Sequence, residues 1–218
     1  MSFEEFSKKL LKLCSEINVS LDEKQLKQFF QYLHIYKKWV VKINLSSIEE
    51  EEEIIQKHFA DSLLGFSLIQ GKRTCLDIGS GAGFPGIPLK IANPSLVLFS
   101  VDAKEKKVFF QKQVMRTLGF KKAYSTNIHI DWKARADLDF FLKGKKVDII
   151  LFRAIKPNKE MIDFLKAFLS ENGKIFLYTG RSFNKAEQEN TFENIYHLNK
   201  EIEHAFDQKY PRAIYSIC

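Results

Sequence analysis

Residues 76–86 read LDIGSGAGFPG: an apolar approach, an aspartate, and then four glycines within eight positions. Gly81-Ala82-Gly83-Phe84-Pro85-Gly86 has the GxGxxG spacing, which lets a chain turn tightly and lets its backbone approach a ligand closely. A ligand-free turn satisfies the same spacing. The flanks favour a ligand: TCLDIG before the loop has strand character, and FPGIPLKIAN after it reads as a short helix with Pro85 in its first turn.

Working outward, the rest of the chain alternates. LVLFSVD, KKAYSTN, KVDIILFR and GKIFLYTG read as further strands. Between them KEKKVFFQKQVMRTLG, WKARADLDFFLK and NKEMIDFLKAFLS read as helices, and NIYHLNKEI with RAIYSIC as a closing hairpin. Seven strands alternating with helices predict an α/β, Rossmann-like fold with a mostly parallel sheet covered on both faces. Before Thr74 the pattern is helical. Phe3, Phe6, Leu10, Leu13 and Cys14 form one stripe, and Leu26, Phe29, Phe30, Leu33, Tyr36 and Val40 form another. Ser20 and Glu23 have capping-box spacing, and Asn44-Leu45-Ser46-Ser47 is expected to break the second helix. The acidic run Glu49–Glu53 suits the start of a third helix and has no assigned partner. Residues 1–70 are expected to form an N-terminal helical extension and residues 71–218 the sheet domain.

Two carboxylates narrow the cofactor. Asp102, ending the second strand, suits ribose hydroxyls in either NAD or S-adenosylmethionine. Asp77, immediately before the loop, is poorly sited for a pyrophosphate and better sited for the ammonium and sulfonium charges of S-adenosylmethionine. Both aspartates could also simply cap turns.

The chain carries a net charge of +7, and its middle holds all of the excess: residues 61–160 have eighteen Lys/Arg against nine Asp/Glu. That fits either a solvated lysine-rich surface or a basic face for a polyanion. Three scattered cysteines without CxxC spacing argue against a disulfide framework or a metal site. With no signal-peptide pattern and no long apolar run, the expected setting is the cytoplasm, away from membranes.

KINLSSI (42–48), HFADSL (58–63), LDIGSGAGFPGIPLKI (76–91), KKVFFQ (106–111) and FRA (152–154) follow one another in order. Together they resemble the RsmG family, also called glucose-inhibited division protein B, over about residues 25 to 180. The resemblance implies a class I methyltransferase fold. The implied activity is methyl transfer from S-adenosylmethionine to N7 of a guanosine in the decoding-region (530) loop of 16S ribosomal RNA. It implies a cofactor cradle of Gly79, Ser80, Gly81, Ala82 and Gly83 with Phe84 beside it. Asp77 would lie below the cradle, Asp102 and Ala103 at the ribose, and Asn127 and Ile128 towards the adenine. Arg153 would face the active-site mouth and also touch cofactor, and His58, Asp61 and Ser62 would border the same cavity. Arg153 and His58 are thus the catalytic candidates, with ion-pair and core roles as their respective alternatives. Lys106, Lys107, Arg153, Arg181 and Arg212 are the RNA-binding candidates. The expected partner of a monomeric enzyme is 16S rRNA or a small-subunit precursor.

The chain departs from the family pattern in three places. Thr179-Gly180-Arg181 stands where Lys-Gly is usual, Asn127-Ile128-His129 where an Arg-x-Glu-like element is usual, and the chain ends at Cys218 without a closing lysine. Guanine N7 carries a lone pair and no proton, so its methylation needs alignment but no general base. Consistent with that, ILFRAIKP lacks the Pro-Pro-aromatic element used on exocyclic amines, and no Pro-Cys nucleophile is present. The rival readings are a related enzyme acting on another RNA or a small molecule, an NAD-dependent oxidoreductase, and a non-enzymatic SAM- or RNA-binding protein.

Overall fold

The computed structural model describes every residue except Asn44, Arg73 and Lys209, and describes Trp132 by its backbone alone. Helices α1 (Phe3–Glu16) and α2 (Glu23–Ile43) open the chain. A broken helical run follows: α3 (Glu51–Ile54), a π-helical stretch (Ile55–Ala60), α4 (Asp61–Leu63) and a 3-10 stretch (Leu64–Ile69). The sheet domain then runs β1 (Thr74–Ile78), α5 (Gly86–Ala92), β2 (Val97–Asp102), α6 (Glu105–Thr117), β3 (Ala123–Asn127), α7 (Arg135–Leu142) and β4 (Val147–Arg153). It closes with α8 (Lys159–Lys166), β5 (Leu169–Thr179), α9 (Lys185–Thr191), β6 (Leu198–His204) and β7 (Arg212–Ile217).

The seven strands are ordered β3-β2-β1-β4-β5-β7-β6, and β7 alone runs against the rest. Alternation along the central strands divides the core in two. Cys75, Leu98, Ile149 and Leu151 share one cluster with residues of α1, α2, α5 and α6, whereas Leu76, Phe99, Ile150 and Phe152 share the other with residues of α7 and α8. Residues buried on both faces produce the near-continuous apolar strands seen in the sequence. The first helices share a core with the sheet: Phe6, Phe29 and Leu33 belong to the same cluster as Leu89 and Phe110.

Two local expectations are corrected, the capping box of α2 and the end of the helix after β4. The capping box at α2 is Asp22 with Gln25, not Ser20 with Glu23. The Gln25 amide donates to Asp22 Oδ1 at 2.7 Å, and the Asp22 amide to Gln25 Oε1 at 2.8 Å. The acidic run forms ion pairs within the chain: Glu51 pairs with the Met1 amine at 2.7 Å and with Lys37, and Glu52 pairs with Lys9. The helix after β4 stops at Lys166 because Leu169 pairs with Val147 in the sheet. Asn44, expected to help end α2, lies outside the described residues. Among the described residues no helix is long and apolar enough to cross a membrane.

Candidate functional site

Strand order reverses at β1, between β2 and β4, and ligands in such sheets bind in the crevice beyond the carboxyl ends of the strands. A cavity of about 540 Å³ opens there, within the usual size of a small-molecule site. Gly79 to Ala82 line it from β1, Asp102 to Lys104 from β2, and Arg153 to Ile155 from β4. Leu45, Ser46, Ser47 and His58 close it from the helical segment.

The loop is held from several sides. Gly79 has φ of +61°, a backbone angle that favours glycine, and a Cβ there would lie 1.9 Å from Ile155 Cδ1, so the end of that side chain would have to shift. A Cβ on Gly86 would meet Asp77 Oδ2 at 2.7 Å; that oxygen instead accepts the Gly86 N–H at 2.9 Å. Gln111, fully buried on α6, donates through Nε2 to Ser80 Oγ and to the Gly81 carbonyl, both at 2.7 Å. Its Oε1 accepts from Ser125 on β3, also at 2.7 Å. From α2 the buried Tyr32 hydroxyl donates to the Ala82 carbonyl.

Asp102 accepts the Gly81 N–H on Oδ2 and the Lys104 N–H on Oδ1, each at 2.8 Å. A carboxylate offers about four lone-pair sites, so two remain at the cavity wall. Asp77 lies beneath the loop, fully buried, with Oδ1 unpartnered. Burial pushes its carboxyl up to about 7, opposed by the Gly86 N–H and by the Arg153 charge. An orphaned buried carboxylate oxygen below the loop and a second carboxylate in the wall fit a ligand with cationic and hydroxyl groups.

The opposite wall is built around Asp61. Arg153 Nη2 lies 2.6 Å from Asp61 Oδ2, and Arg212 Nε lies 2.9 Å from Asp61 Oδ1. Arg153 also donates to Ser62 Oγ at 3.0 Å and to the Lys57 carbonyl, an acceptor presented by the π-helical stretch. Widened turns of this kind recur at functional sites. Arg153 has five N–H donors, so two are left over from these contacts, and the residue itself lines the cavity. His58 is buried and stacked on Phe84, with ring centroids 4.4 Å apart. Its Nε2 sits 3.2 Å from the hydroxyls of Tyr36 and Ser46, and its Nδ1 has no partner. Burial, then the Arg153 charge, hold its pKa well below the usual histidine value, so the imidazole is neutral at physiological pH.

One cavity therefore gathers Gly79, Ser80, Gly81, Ala82, Phe84, Asp102, Ala103, Arg153, His58 and Lys107. Gly83 lies within the loop, close under the Tyr32 hydroxyl and Ile87. Asn127 pairs in register with Asp102 and donates to its carbonyl at 2.8 Å, but with Ile128 it lines a neighbouring hollow. Lys106 is exposed on α6, Arg181 is exposed after β5, and Arg212 is engaged by Asp61. Of the four motifs outside the loop, KINLSSI supplies Ser46 and Ser47, HFADSL supplies the Asp61 hub, KKVFFQ supplies Gln111, and FRA supplies Arg153. The loop clamps Gln111 and Tyr32 had no assigned role in the sequence. Their signal was a polar group on the apolar stripe of an amphipathic helix.

A family model described as rRNA small subunit methyltransferase G (GidB) matches residues 25–213. The ribosomal RNA small subunit methyltransferase G of Acetivibrio thermocellus is 35% identical over 181 residues, 83% of this chain and 73% of that one. Its counterpart in Geotalea uraniireducens is 37% identical over 178 residues, 81% and 78% of the two chains. Among solved structures, a SAM dependent methyltransferase from Aquifex aeolicus matches with a TM-score of 0.55 at 16% identity, over 80% of this chain and 96% of that one. That likeness is one of fold. The five motifs, the sheet order and the conjunction of glycine loop and Asp61 hub agree with the sequence match: the chain belongs to the rRNA small subunit methyltransferase G (GidB) family.

Proposed function

We propose that this chain is a SAM-dependent ribosomal RNA methyltransferase acting on guanine N7 in the decoding-region loop of 16S rRNA. The observation that carries the reading is the meeting, in one cavity, of the Asp102-anchored glycine loop with Arg153 and His58. S-adenosylmethionine, when bound, supplies a methyl group on a positively charged sulfur.

Asp102 would hold the ribose hydroxyls with its remaining lone pairs, and Gly79 to Ala82 would cradle the amino-acid end. Asp77 would contribute negative charge beneath that end; a nearby cation favours its ionised form, reversing the effect of burial. Arg153, fixed by Asp61, Ser62 and the Lys57 carbonyl, keeps two donors suited to a guanine O6. That contact would leave the adjacent N7 lone pair free for in-line attack. No residue has to remove a proton, which is compatible with His58 being buried and neutral. Its role in this reading is to shape the base pocket with Phe84 rather than to act as a base.

The test is to supply methyl-labelled S-adenosylmethionine with 30S subunits, naked 16S rRNA or tRNA, and map the product by borohydride/aniline cleavage. Label at a cleavable guanine of the small-subunit RNA supports the reading. Label confined to tRNA, or label without cleavage, contradicts it.

A further inference from the structure

Helices α2 and α6 pack side by side, and a pair of aromatic rings lies at the surface where they meet. Trp39 is half-buried and Phe109 is 60% exposed, with ring centroids 5.6 Å apart and planes inclined at 47°. On α6, Lys106 and Lys112 flank Phe109 at three residues on either side, the spacing that places side chains on one helix face. On α2, Lys42 stands in the same relation to Trp39, with Lys38 beside it. Lys38, Lys42, Lys106 and Lys112 are all exposed, and none is in an ion pair among the described residues. Glu105 is the only carboxylate on α6, and α2 has none after Glu23.

The position of this ridge is as informative as its chemistry. The segment after α2 supplies Leu45, Ser46 and Ser47 to one wall of the cavity, and the start of α6 supplies Lys104 and Lys107 to another. The aromatic pair thus sits on the two helices whose ends border the cavity, Trp39 six residues before Leu45 and Phe109 two after Lys107. An exposed ring among unpaired lysines combines a stacking platform with phosphate neutralisation, the two components of single-strand recognition.

We propose that the Trp39–Phe109 ridge is a docking surface for single-stranded RNA flanking the target nucleotide, with a base stacked on Phe109 and phosphates on Lys106, Lys112 and Lys42. The inference rests on the methyltransferase reading and adds to it where the substrate lies. The molecule contains its own contrast. Phe140, 86% exposed, sits on α7 with Asp137 and Asp139 close by in sequence; the nearest following lysine, Lys143, is engaged over the Tyr124 ring at 4.9 Å. That surface is aromatic but of mixed charge, with two aspartates and one lysine as its neighbours.

The experiment is a fluorescence-anisotropy titration of the full chain with a fluorescein-labelled single-stranded 12-nucleotide RNA at several KCl concentrations, alongside the methyl-transfer assay. Phe109→Ala should weaken RNA binding on the order of ten-fold with an unchanged salt slope, and Phe109→Trp should restore it. Lys106→Ala/Lys112→Ala should weaken binding and reduce the salt slope by about 0.7 per lost contact. Phe140→Ala should bind as wild type, and all variants should keep wild-type SAM affinity. Wild-type RNA affinity in Phe109→Ala, or an equal loss in Phe140→Ala, overturns the docking surface while wild-type methyl transfer leaves the enzyme reading intact. Failure of the wild-type chain to methylate any ribosomal RNA overturns the reading beneath both.

Discussion

Replacing Gln111 by methionine keeps the side-chain volume nearly constant and removes three hydrogen bonds, two buried and one part-buried, each 2.7 Å long. Ser80 Oγ retains its bond to the Val101 carbonyl, but this contact of the Gly81 carbonyl and that of the Ser125 hydroxyl are lost without replacement. A net bond is worth about 1 kcal/mol, and a buried group left unsatisfied costs about 1–3 kcal/mol. Gln111→Met should therefore destabilise the chain by roughly 2–4 kcal/mol, a large share of the ~5–15 kcal/mol typical of a domain. In a protein of this length that corresponds to a fall in Tm of roughly 5–15 °C. Because two of the bonds end on the glycine loop, SAM affinity should fall as well. Gln113→Met is the control: Gln113 is two residues further along α6, and its bond to Thr117 is solvent-exposed, so its effect should stay within about 0.5 kcal/mol. Urea unfolding followed by circular dichroism gives the first quantity, and calorimetric titration with SAM below the melting range gives the second. Equal stabilities for the two variants, or unchanged SAM affinity in Gln111→Met, would refute the reasoning.

Three further outcomes are expected. The Asp77 carboxyl, held up at about 7 by burial against an ordinary value near 4, retains a proton in the folded chain that the unfolded chain has released. The contribution of Asp77 to the stability of the unliganded protein should accordingly fall as pH rises from about 4 to about 7 and level off above, by at most about 4 kcal/mol. Asp77→Asn should flatten that slope in a series of urea midpoints, and an identical slope in the variant contradicts the assignment. Asp61→Ala strands two arginines that now share a buried carboxylate. It should cost about 3 kcal/mol or more by scanning calorimetry, and a loss under about 0.5 kcal/mol counts against the hub. Gly79→Ala puts a Cβ on a left-handed backbone conformation and must displace the Ile155 Cδ1 methyl, which would otherwise lie 1.9 Å away. SAM binding should drop at least ten-fold on the roughly 2–3 kcal/mol of strain and displacement; wild-type affinity contradicts the cradle.

The strands were legible because burial on both sheet faces leaves short apolar runs bounded by turn residues, as in KVDIILFR and LVLFSVD. The loop was legible because glycine spacing and the two strand-end aspartates are local signals. Helix boundaries were less so. Ser20/Glu23 and Asp22/Gln25 have the same three-residue spacing, and only the packing of α2 selects between them; the Gln25 side chain also reaches the Ile91 and Ala92 carbonyls at 3.0 Å. The Asp61 hub was quoted in HFADSL, but nothing local shows that its carboxylate joins positions 153 and 212. Likewise Lys107, expected at the RNA, lines the candidate cavity beside the glycine loop, because the first turn of α6 starts directly beyond Asp102. Long-range pairings of this kind arise from topology and carry no periodic signature in the chain.

The central claim is that the crevice between β1, β2 and β4 is a SAM site. A crystal structure with S-adenosylhomocysteine tests it most directly. The account predicts ribose hydroxyls within hydrogen-bonding distance of Asp102 and the amino-acid end against Gly79 to Ala82, on the side facing Arg153 and His58. Ligand bound in another hollow, or in this crevice with its ribose remote from Asp102, would contradict it.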